Sequence, residues 1–185
     1  MTMRVLGISG SLRRDSLNSA LLRAAAERLP GGAELVEFER LGEVPPYDED
    51  VENDEPTPDA VLALREAIRE ADAVLIATPE YSHSIPGQLK NALDWASRPA
   101  GKSALAGKPA AAIGASKSMF GGVWAQAEAR KVLAAIGARV LDRELPVASA
   151  DEALAGELDP ELSRALGEVV AELVEAADPA AAVAA

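Results

Sequence analysis

The sequence predicts a three-layer α/β protein, a five-stranded parallel sheet with helices on both faces. Apolar runs of strand length alternate along the chain with segments whose apolar residues recur at helical spacing. The runs contain few polar residues, as do the strands of a parallel sheet that is covered on both faces. Because each predicted strand is followed by a helix, we expect right-handed crossovers between parallel strands.

The first elements have clear start and stop signals. Residues 3–9, MRVLGIS, are an apolar run and are predicted as the first strand. The next helix is predicted to begin at Ser16, a common N-cap residue, and to end before Pro30 and the glycines after it. Residues 35–39 are predicted as the second strand. Residues 44–58, VPPYDEDVENDEPTP, are polar and rich in proline, so we expect one long surface loop rather than a linker between domains.

The remaining elements continue the alternation. Thr57 and Pro58 are predicted as the cap and first residue of the next helix, whose buried face carries Val61, Leu64 and Ile68. Short apolar runs predict the other strands, at residues 73–77, 110–116 and 138–147. Apolar residues at helical spacing predict the other helices, at residues 88–96, 125–136 and 160–176.

Length and composition indicate one domain over residues 1–177, followed by a disordered tail over residues 178–185. The chain has 185 residues, of which 49% are hydrophobic, and this is enough for one core. The sequence contains no cysteine and a single histidine, which excludes disulfides and the usual Cys/His metal sites. A Mg or Ca site made only of carboxylates is the remaining alternative, but the sequence has no motif for one, so we expect no metal.

The charge and the hydropathy pattern limit the partners. A net charge of −12 disfavours nucleic acid and anionic membrane surfaces, because both are bound through Lys and Arg that neutralise phosphate. No apolar stretch reaches the ~18 residues that a membrane span needs, and no segment has the pattern of a signal peptide. We therefore expect a cytoplasmic protein that binds no nucleic acid and no membrane.

About five strand and helix units are the size of a flavodoxin-like domain. In such folds the ligand lies beyond the carboxyl ends of the strands, where the strand order reverses. Three loops follow the first, third and fourth predicted strands: GSLRRDSLN at residues 10–18, TPEYSHSIPG at residues 78–87 and SKSMFGG at residues 116–122. These three loops are the predicted ligand site.

The first loop has the composition of a phosphate-binding turn. Its polar side chains include Ser11, Arg13, Ser16 and Asn18. They surround a predicted helix N-terminus, where free backbone N–H groups and the helix dipole favour an anion, and Arg13 adds a charge-assisted hydrogen bond. The loop lacks both G-x-G-x-x-G and the G-K-[ST] ending of a nucleotide-triphosphate loop. The alternative is a capping turn in which Ser16 is a plain N-cap and the arginines are incidental.

The second loop suits a flat heterocycle. Pro79 and Pro86 stiffen it, and Gly87 allows close approach of the backbone. Tyr81 offers an aromatic surface. His83 is more simply interpreted as a polar loop residue than as a catalytic group.

Other signals near these loops are weaker. In the third loop, Ser116 and the pair Gly121-Gly122 are expected to close over the ligand from the other side. Trp95, with Leu93 of the same helix, fits the core or a subunit contact better than a cofactor contact. A hydrolase in which the single histidine activates Ser11 or Ser84 is excluded, because no G-x-S-x-G elbow is present.

The loops resemble motifs of the NADPH-dependent FMN reductase family, which includes bacterial quinone, chromate and azo-dye reductases of flavodoxin-like fold. GSLRRDSLN resembles the family's G-S-x-R-x-x-S-x-N phosphate motif. PEYSHSIPGQLKNALDW resembles its P-E-Y-x-x-S-x-P-x-x-L-K-N-A-[IL]-D-W signature, and SKSMFGG resembles its Ser and Gly-Gly loop. The similarity runs from Val5 to Val147, and two such motifs at this spacing are specific.

The resemblance implies which residues contact the cofactor, FMN. Its phosphate would be held by Ser11, Arg13, Ser16 and Asn18, and Leu17 of the same segment would also contact the cofactor. Its isoalloxazine and ribityl would lie along Pro79, Glu80, Tyr81 and Ser82, with Ser116, Gly121 and Gly122 on the other side. The substrate site would be lined by His83, Ser84 and Phe120.

The same resemblance implies an FMN-dependent NAD(P)H oxidoreductase. Such an enzyme passes hydride from NADPH or NADH to bound FMN and on to a quinone or a similar small electron acceptor. Because the flavin carries the chemistry, no protein residue is expected to be catalytic. A non-enzymatic flavodoxin-like electron carrier is the main alternative, although carriers lack the PEY signature and the arginine of the phosphate loop. A flavin-binding regulatory module is the third possibility.

The resemblance also bears on assembly. The family commonly pairs subunits near the flavin, and the predicted third helix carries Leu89, Leu93 and Trp95, more apolar surface than a monomer would expose. We therefore expect a homodimer or a homotetramer. Two departures stand out: many relatives have Asn at the position of Ser82 and Arg at the position of Trp124, so an oligomer contact made by that Arg is not assumed.

Overall fold

A parallel sheet forms the middle layer of the computed structural model, which describes residues 2–54 and 56–178. The predicted tail over residues 178–185 lies outside this range except for Asp178. The strands are β1 (Met3–Ser9), β2 (Ala33–Glu37), β3 (Ala73–Thr78), β4 (Pro109–Ala115), β5 (Arg139–Val140) and β6 (Pro146–Val147). Their order is β2-β1-β3-β4-β5, β6 also pairs with β4, and all these pairings are parallel.

Helices cover both faces of this sheet. They are α1 (Leu17–Ala26), α2 (Glu49–Asn53), α3 (Asp59–Glu70), α4 (Gly87–Ala96), α5 (Val123–Ala135), α6 (Ala150–Ala153) and α7 (Pro160–Ala177). A short 3₁₀ turn, Leu41–Glu43, follows β2. Within the described ranges, no helix combines the length and the apolar character that crossing a bilayer requires.

The two faces of the sheet build two apolar cores. Successive side chains of a strand point to opposite faces, and β3 shows this most clearly because every one of its residues is buried. Leu75 packs in the core that contains α1 and α7, whereas Val74 and Ile76 pack in the core that contains α3, α4 and α5. The predicted three-layer arrangement is confirmed.

The strand order reverses at β1. The chain leaves β1 through α1 to reach β2 on one side, and it returns through α3 to reach β3 on the other side. Because α1 and α4, the helices that follow β1 and β3, cover opposite faces, the loops that lead to them leave the sheet in different directions. This reversal leaves a gap at the carboxyl edge of the sheet, where ligands of such folds bind.

The fifth strand is shorter than predicted. In place of one strand over residues 138–147, the structure has the two short strands β5 and β6. Charged residues between them leave the sheet: the guanidinium of Arg143 lies 3.2 Å from Glu168 and 2.7 Å from Glu172, both on α7. The polar run Asp142–Glu144 therefore serves contacts with a helix rather than strand pairing.

The loop predicted over residues 44–58 contains the short helix α2. Asp48 caps this helix, because its side chain accepts a hydrogen bond of 2.9 Å from the N–H of Asp50. The prediction that Thr57 caps the next helix is wrong, because Pro58 occupies the cap position and α3 begins at Asp59.

Side chains of α4 hold the same loop against the body of the protein. Gln88 donates to the carbonyl of Val44 at 2.9 Å. Asn91 and the indole N–H of Trp95 both donate to the carbonyl of Pro45, each at 2.8 Å. The carboxyl-terminal part of the PEY signature therefore binds a backbone loop.

The apolar residues of α4 lie in the interior of the chain. Leu89, Leu93 and Trp95 are 0, 2 and 0% exposed. The interpretation of Leu93 and Trp95 as core residues is confirmed. The argument that this helix offers an apolar surface to a second subunit is wrong, because that surface is already covered within one chain.

Candidate functional site

Two adjoining clefts lie at the loops that follow β1, β3 and β4. The first cleft has a volume of about 190 Å³ and is lined by Ser11, Arg13, Leu17, Asn18, Pro79, Glu80, Tyr81, Ala115, Ser116 and Lys117. The second cleft has a volume of about 330 Å³ and is lined by Gly10, Leu12, Arg13, Tyr81, Pro86, Gly87 and Gln88. Arg13 and Tyr81 belong to both walls, so a ligand in either cleft would meet them.

The structure brings most of the predicted cofactor residues to the first cleft. Ala115 and Lys117 also line it and were missed, although both are neighbours of Ser116 at the end of β4 and that position was the available signal. The other predicted residues line neither of these clefts in the described chain: Ser16, Ser82, His83, Ser84, Phe120, Gly121 and Gly122. They lie in the same loops.

Asn18 and Ser16 fix the start of α1. The hydroxyl of Ser16 accepts a hydrogen bond of 3.2 Å from the N–H of Ser19, so Ser16 is an N-cap, as the alternative interpretation of this residue held. The side-chain amide of Asn18 donates to the carbonyl of Ala115 at 3.0 Å and accepts from the N–H of Ala115 at 2.9 Å. Both side chains are buried, and they place the helix N-terminus beside the end of β4.

Serine hydroxyls shape the turn between β1 and α1. Ser19 donates from its hydroxyl to the hydroxyl of Ser9 at 2.9 Å. The N–H of Ser11 donates to the same Ser9 oxygen, and the N–H of Arg13 donates to the hydroxyl of Ser11, both at 3.4 Å. The turn is thereby held by serine side chains and its own backbone, and none of these contacts uses the guanidinium of Arg13.

Two cations line the first cleft of a chain whose net charge is −12. Arg13 makes no side-chain hydrogen bond or ion pair with any described residue, and neither does Arg14, which lines neither cleft. Lys117 lies 3.2 Å from the carboxylate of Asp151, and this hydrogen bond holds the pKa of Asp151 below its usual value. Arg13 is therefore the cation available to an anionic ligand.

The loop after β3 forms a tight hairpin. Tyr81 and Ser84 exchange two backbone hydrogen bonds of 3.0 Å across it. Ser82 and His83 at its tip have φ values of 52° and 59°, and positive φ at both central residues is the mark of a type I′ turn. Asn enters this backbone region more readily than Ser, so an Asn at position 82 would hold the same turn with less strain.

Glu80 joins this hairpin to α5. One carboxylate oxygen accepts hydrogen bonds from the N–H groups of Trp124 and Ala125, at 3.0 and 3.2 Å. The other oxygen lies 3.5 Å from Nδ1 of His83. The Glu80 side chain is only 12% exposed, so its charge is held between the two loops.

The Gly121-Gly122 pair meets a steric demand. Gly121 has a φ of 58°, and a Cβ there would lie 2.6 Å from the carbonyl carbon of Pro146. Gly122 has a φ of 78° and occupies the N-cap position of α5, where it offers no capping side chain. The pair therefore lets the loop after β4 pass close to β6 and turn into α5.

His83, Phe120 and Trp124 form an aromatic cluster beside the first cleft. The rings of His83 and Trp124 meet edge to face with centroids 4.7 Å apart. The rings of Phe120 and Trp124 lie 4.9 Å apart. Because the hairpin supplies one ring and the β4–α5 segment supplies two, the cluster depends on how these segments are held together.

The sequence profile of the NADPH-dependent FMN reductase family matches residues 3–152, a range that contains all three loops of the site. The chain belongs to this family. It is an oxidoreductase that uses FMN, with NADPH or NADH as the reductant. The resemblance found in the loop motifs is confirmed.

Individual relatives agree with this placement. The chain is 46% identical to the NAD(P)H-dependent FMN reductase from Pseudomonas aeruginosa over 152 residues, which are 82% of this chain and 80% of that protein. It is 44% identical over 134 residues to the 2-hydroxy-1,4-benzoquinone reductase from a Burkholderia species, with 72% of each chain covered. Among solved structures, the flavoenzyme NAD(P)H:(acceptor) oxidoreductase from Paracoccus denitrificans has a TM-score of 0.85 at 35% identity, with 95% of this chain and 97% of that chain covered. The predicted flavodoxin-like fold is confirmed.

The two arginines of the first loop give a matched test. Arg13→Ala is expected to weaken FMN binding by about 1.5–3 kcal/mol, the usual size for a hydrogen bond to a charged group. Arg14→Ala removes the same charge one residue away and is expected to cost much less, because Arg14 lines neither cleft. Titration of the apoprotein with FMN, followed by flavin fluorescence, measures both affinities. Equal losses would show that the charge acts at a distance and not through contact with Arg13.

Proposed function

We propose that this enzyme passes hydride from NADPH or NADH to FMN held in the first cleft, and then to a quinone or a similar small acceptor. One observation carries the proposal: at the reversal of strand order, Ser11 and Arg13 of the loop before α1 line the same cleft as Tyr81 of the hairpin after β3. The quinone is suggested by the benzoquinone named for a 44% identical relative. The reductant is a cytoplasmic metabolite, and we propose that compartment for the enzyme.

The residues of the first cleft fit the phosphate of FMN. The start of α1 presents backbone N–H groups to the cleft edge, and helix N-termini of this kind favour an anion. Its first turn contains no acidic residue that would oppose the charge. Ser11 supplies a hydroxyl, and Arg13 supplies an unpaired guanidinium.

The other predicted residues receive roles from their positions. We propose that Ser16, Leu17 and Asn18 support the phosphate end, and that Pro79, Glu80, Tyr81 and Ser82 border the ring and ribityl. Ser116, Gly121 and Gly122 would close the opposite side. His83, Ser84 and Phe120 would line the acceptor site. We take residues 1–177 as one FMN-binding domain.

We propose that the chain binds and orients FMN, the nicotinamide nucleotide and the acceptor, and that the chemistry belongs to the cofactor. When bound, FMN supplies the hydride and electron transfer between the nicotinamide and the acceptor. We propose no catalytic residue, because the His83 side chain is 75% exposed at the tip of the hairpin and lines neither cleft. We propose that an acceptor bound beside this exposed tip exchanges its protons with water.

A spectrum followed by turnover tests the function. The purified protein is expected to carry a yellow chromophore that is released as FMN. It should oxidise NADPH or NADH steadily when 2-hydroxy-1,4-benzoquinone is the acceptor. A bound FMN that neither nicotinamide nucleotide reduces would contradict the enzyme and support an electron carrier.

His83→Asn tests the absence of a catalytic side chain. Asn removes the imidazole and tolerates the positive φ of this position, so the turn is kept. The variant should retain FMN and stay within about tenfold of the parent rate of flavin reduction, since loss of a true general acid costs about 10²- to 10⁴-fold. Stopped-flow measurement separates the two half-reactions. A drop of about a hundredfold in flavin reduction, with FMN bound, would show that His83 is catalytic.

We also propose a homodimer, or a homotetramer built from it, through the rim of the clefts. Large apolar side chains that are 41 to 78% exposed gather there: Leu12, Tyr81, Met119, Phe120 and Trp124. Exposed patches of this kind commonly mark interfaces. Light scattering at micromolar concentration should give at least twice the 19.2 kDa of one chain. A monomeric mass would contradict the proposal.

A further inference from the structure

Glu80 has a role that its place in the signature does not reveal. We infer that Glu80 is a positioning residue for the acceptor side of the site, because its carboxylate holds α5, and with it the aromatic cluster, against the hairpin that borders the first cleft. The inference rests on the proposed function for its kinetic part. Its structural part stands on the contacts of Glu80 alone.

The first reason is that α5 has no cap of its own. Gly122 stands at its N-cap position, and no acidic residue lies in its first turn. Helix N-termini leave backbone N–H groups without partners, and these need an acceptor. By contrast, α1 is capped by Ser16 and α7 by Asp159, each from the adjacent position in the chain. Glu80 supplies to α5 from a distant loop what those helices obtain locally.

The second reason is the identity of the residue that is capped. Trp124 donates its backbone N–H to Glu80, and its ring touches both His83 and Phe120. The same carboxylate approaches the imidazole of His83 with its other oxygen. The Glu80 side chain therefore contacts two members of the aromatic cluster. These are Trp124, its central residue, and His83, which lies on the hairpin that carries Tyr81.

The required property is an acceptor oxygen rather than a negative charge. A single oxygen of Glu80 accepts both N–H groups of α5, and the amide oxygen of a glutamine can do the same. Glu80→Gln should therefore preserve the cap, whereas Glu80→Ala removes it. Glu80→Asp keeps the charge but shortens the side chain, and it should behave more like the alanine variant.

Asp159 provides the matched control. Its carboxylate caps α7 by accepting hydrogen bonds from Glu161 and Leu162, at 2.8 and 3.4 Å. Asp159 lines neither cleft, so Asp159→Ala removes a capping carboxylate of the same kind without touching the site. Both alanine variants are expected to lower the urea midpoint of unfolding to a similar degree.

The experiment combines kinetics of the FMN-loaded enzyme with hydrogen exchange of the apoprotein. In enzyme saturated with FMN, Glu80→Ala should raise the KM for 2-hydroxy-1,4-benzoquinone about tenfold or more, and it should lower kcat by a smaller factor. The amides of Trp124 and Ala125 should exchange faster in Glu80→Ala and Glu80→Asp. The glutamine variant should resemble the parent in the exchange of these two amides, and Asp159→Ala should resemble the parent in both measurements at the site.

Three results would overturn the inference. An unchanged KM in Glu80→Ala would show that the cap does not position the acceptor side. Amides of Trp124 and Ala125 that exchange as fast in Glu80→Gln as in Glu80→Ala would show that charge, and not the acceptor oxygen, is what holds the cap. Unchanged exchange at Trp124 would show that Glu80 does not hold α5. If the parent bound FMN but reduced no acceptor, the proposed function would fail, and the exchange measurement would still decide the structural part.

Discussion

The site depends on one buried amide. Asn18 pairs through both of its polar atoms with the backbone of Ala115, and this pairing joins the first turn of α1 to the carboxyl end of β4 across a sequence separation of 97 residues. A buried backbone group that lost this partner would be left unsatisfied, at a cost of about 1–3 kcal/mol. Because the pairing sets where the helix N-terminus stands relative to Ser116 and Lys117, the opposing walls of the first cleft keep their spacing. The contacts of Glu80 then hold the hairpin after β3 against α5, and Gly121 lets the loop after β4 pass close to β6.

The PEY signature serves two different purposes along its length. Its first residues build a hairpin at the edge of the clefts, where Pro79 and Tyr81 are open to a ligand. Its last residues lie on α4, where Asn91 and Trp95 bind the backbone of Pro45 and the apolar positions fill the core. A match to the whole motif therefore reports both a binding surface and the packing that holds it in place. The motif therefore extends beyond the residues that line the clefts.

The local sequence pattern was enough to predict the three layers and most of the residues that line the first cleft. It failed where contacts between residues far apart in the chain determine the structure. The apolar runs of β1, β3 and β4 were enough to predict that these strands are buried in the sheet. The loops after them were identified from their position at the carboxyl ends of the strands. The fifth strand was predicted too long because the pairing of Arg143 with α7 is invisible in the sequence. The cap that Glu80 gives to α5, and the buried Gln126 that accepts the N–H of Leu145 at 2.9 Å, also join segments far apart. No local signal marks such partners, because each is chosen by tertiary geometry.

The hairpin tip has a consequence for how the site can change over time. Ser82 and His83 both hold positive φ, a backbone conformation that costs L-residues with a side chain of the order of 1 kcal/mol or more each. Asn or Gly would adopt it with less strain, so replacements at the tip can raise stability while the neighbouring backbone keeps its path. The tip also carries one ring of the aromatic cluster. Substitutions at Ser82 and His83 would therefore alter the proposed acceptor surface at little cost to the free energy of unfolding.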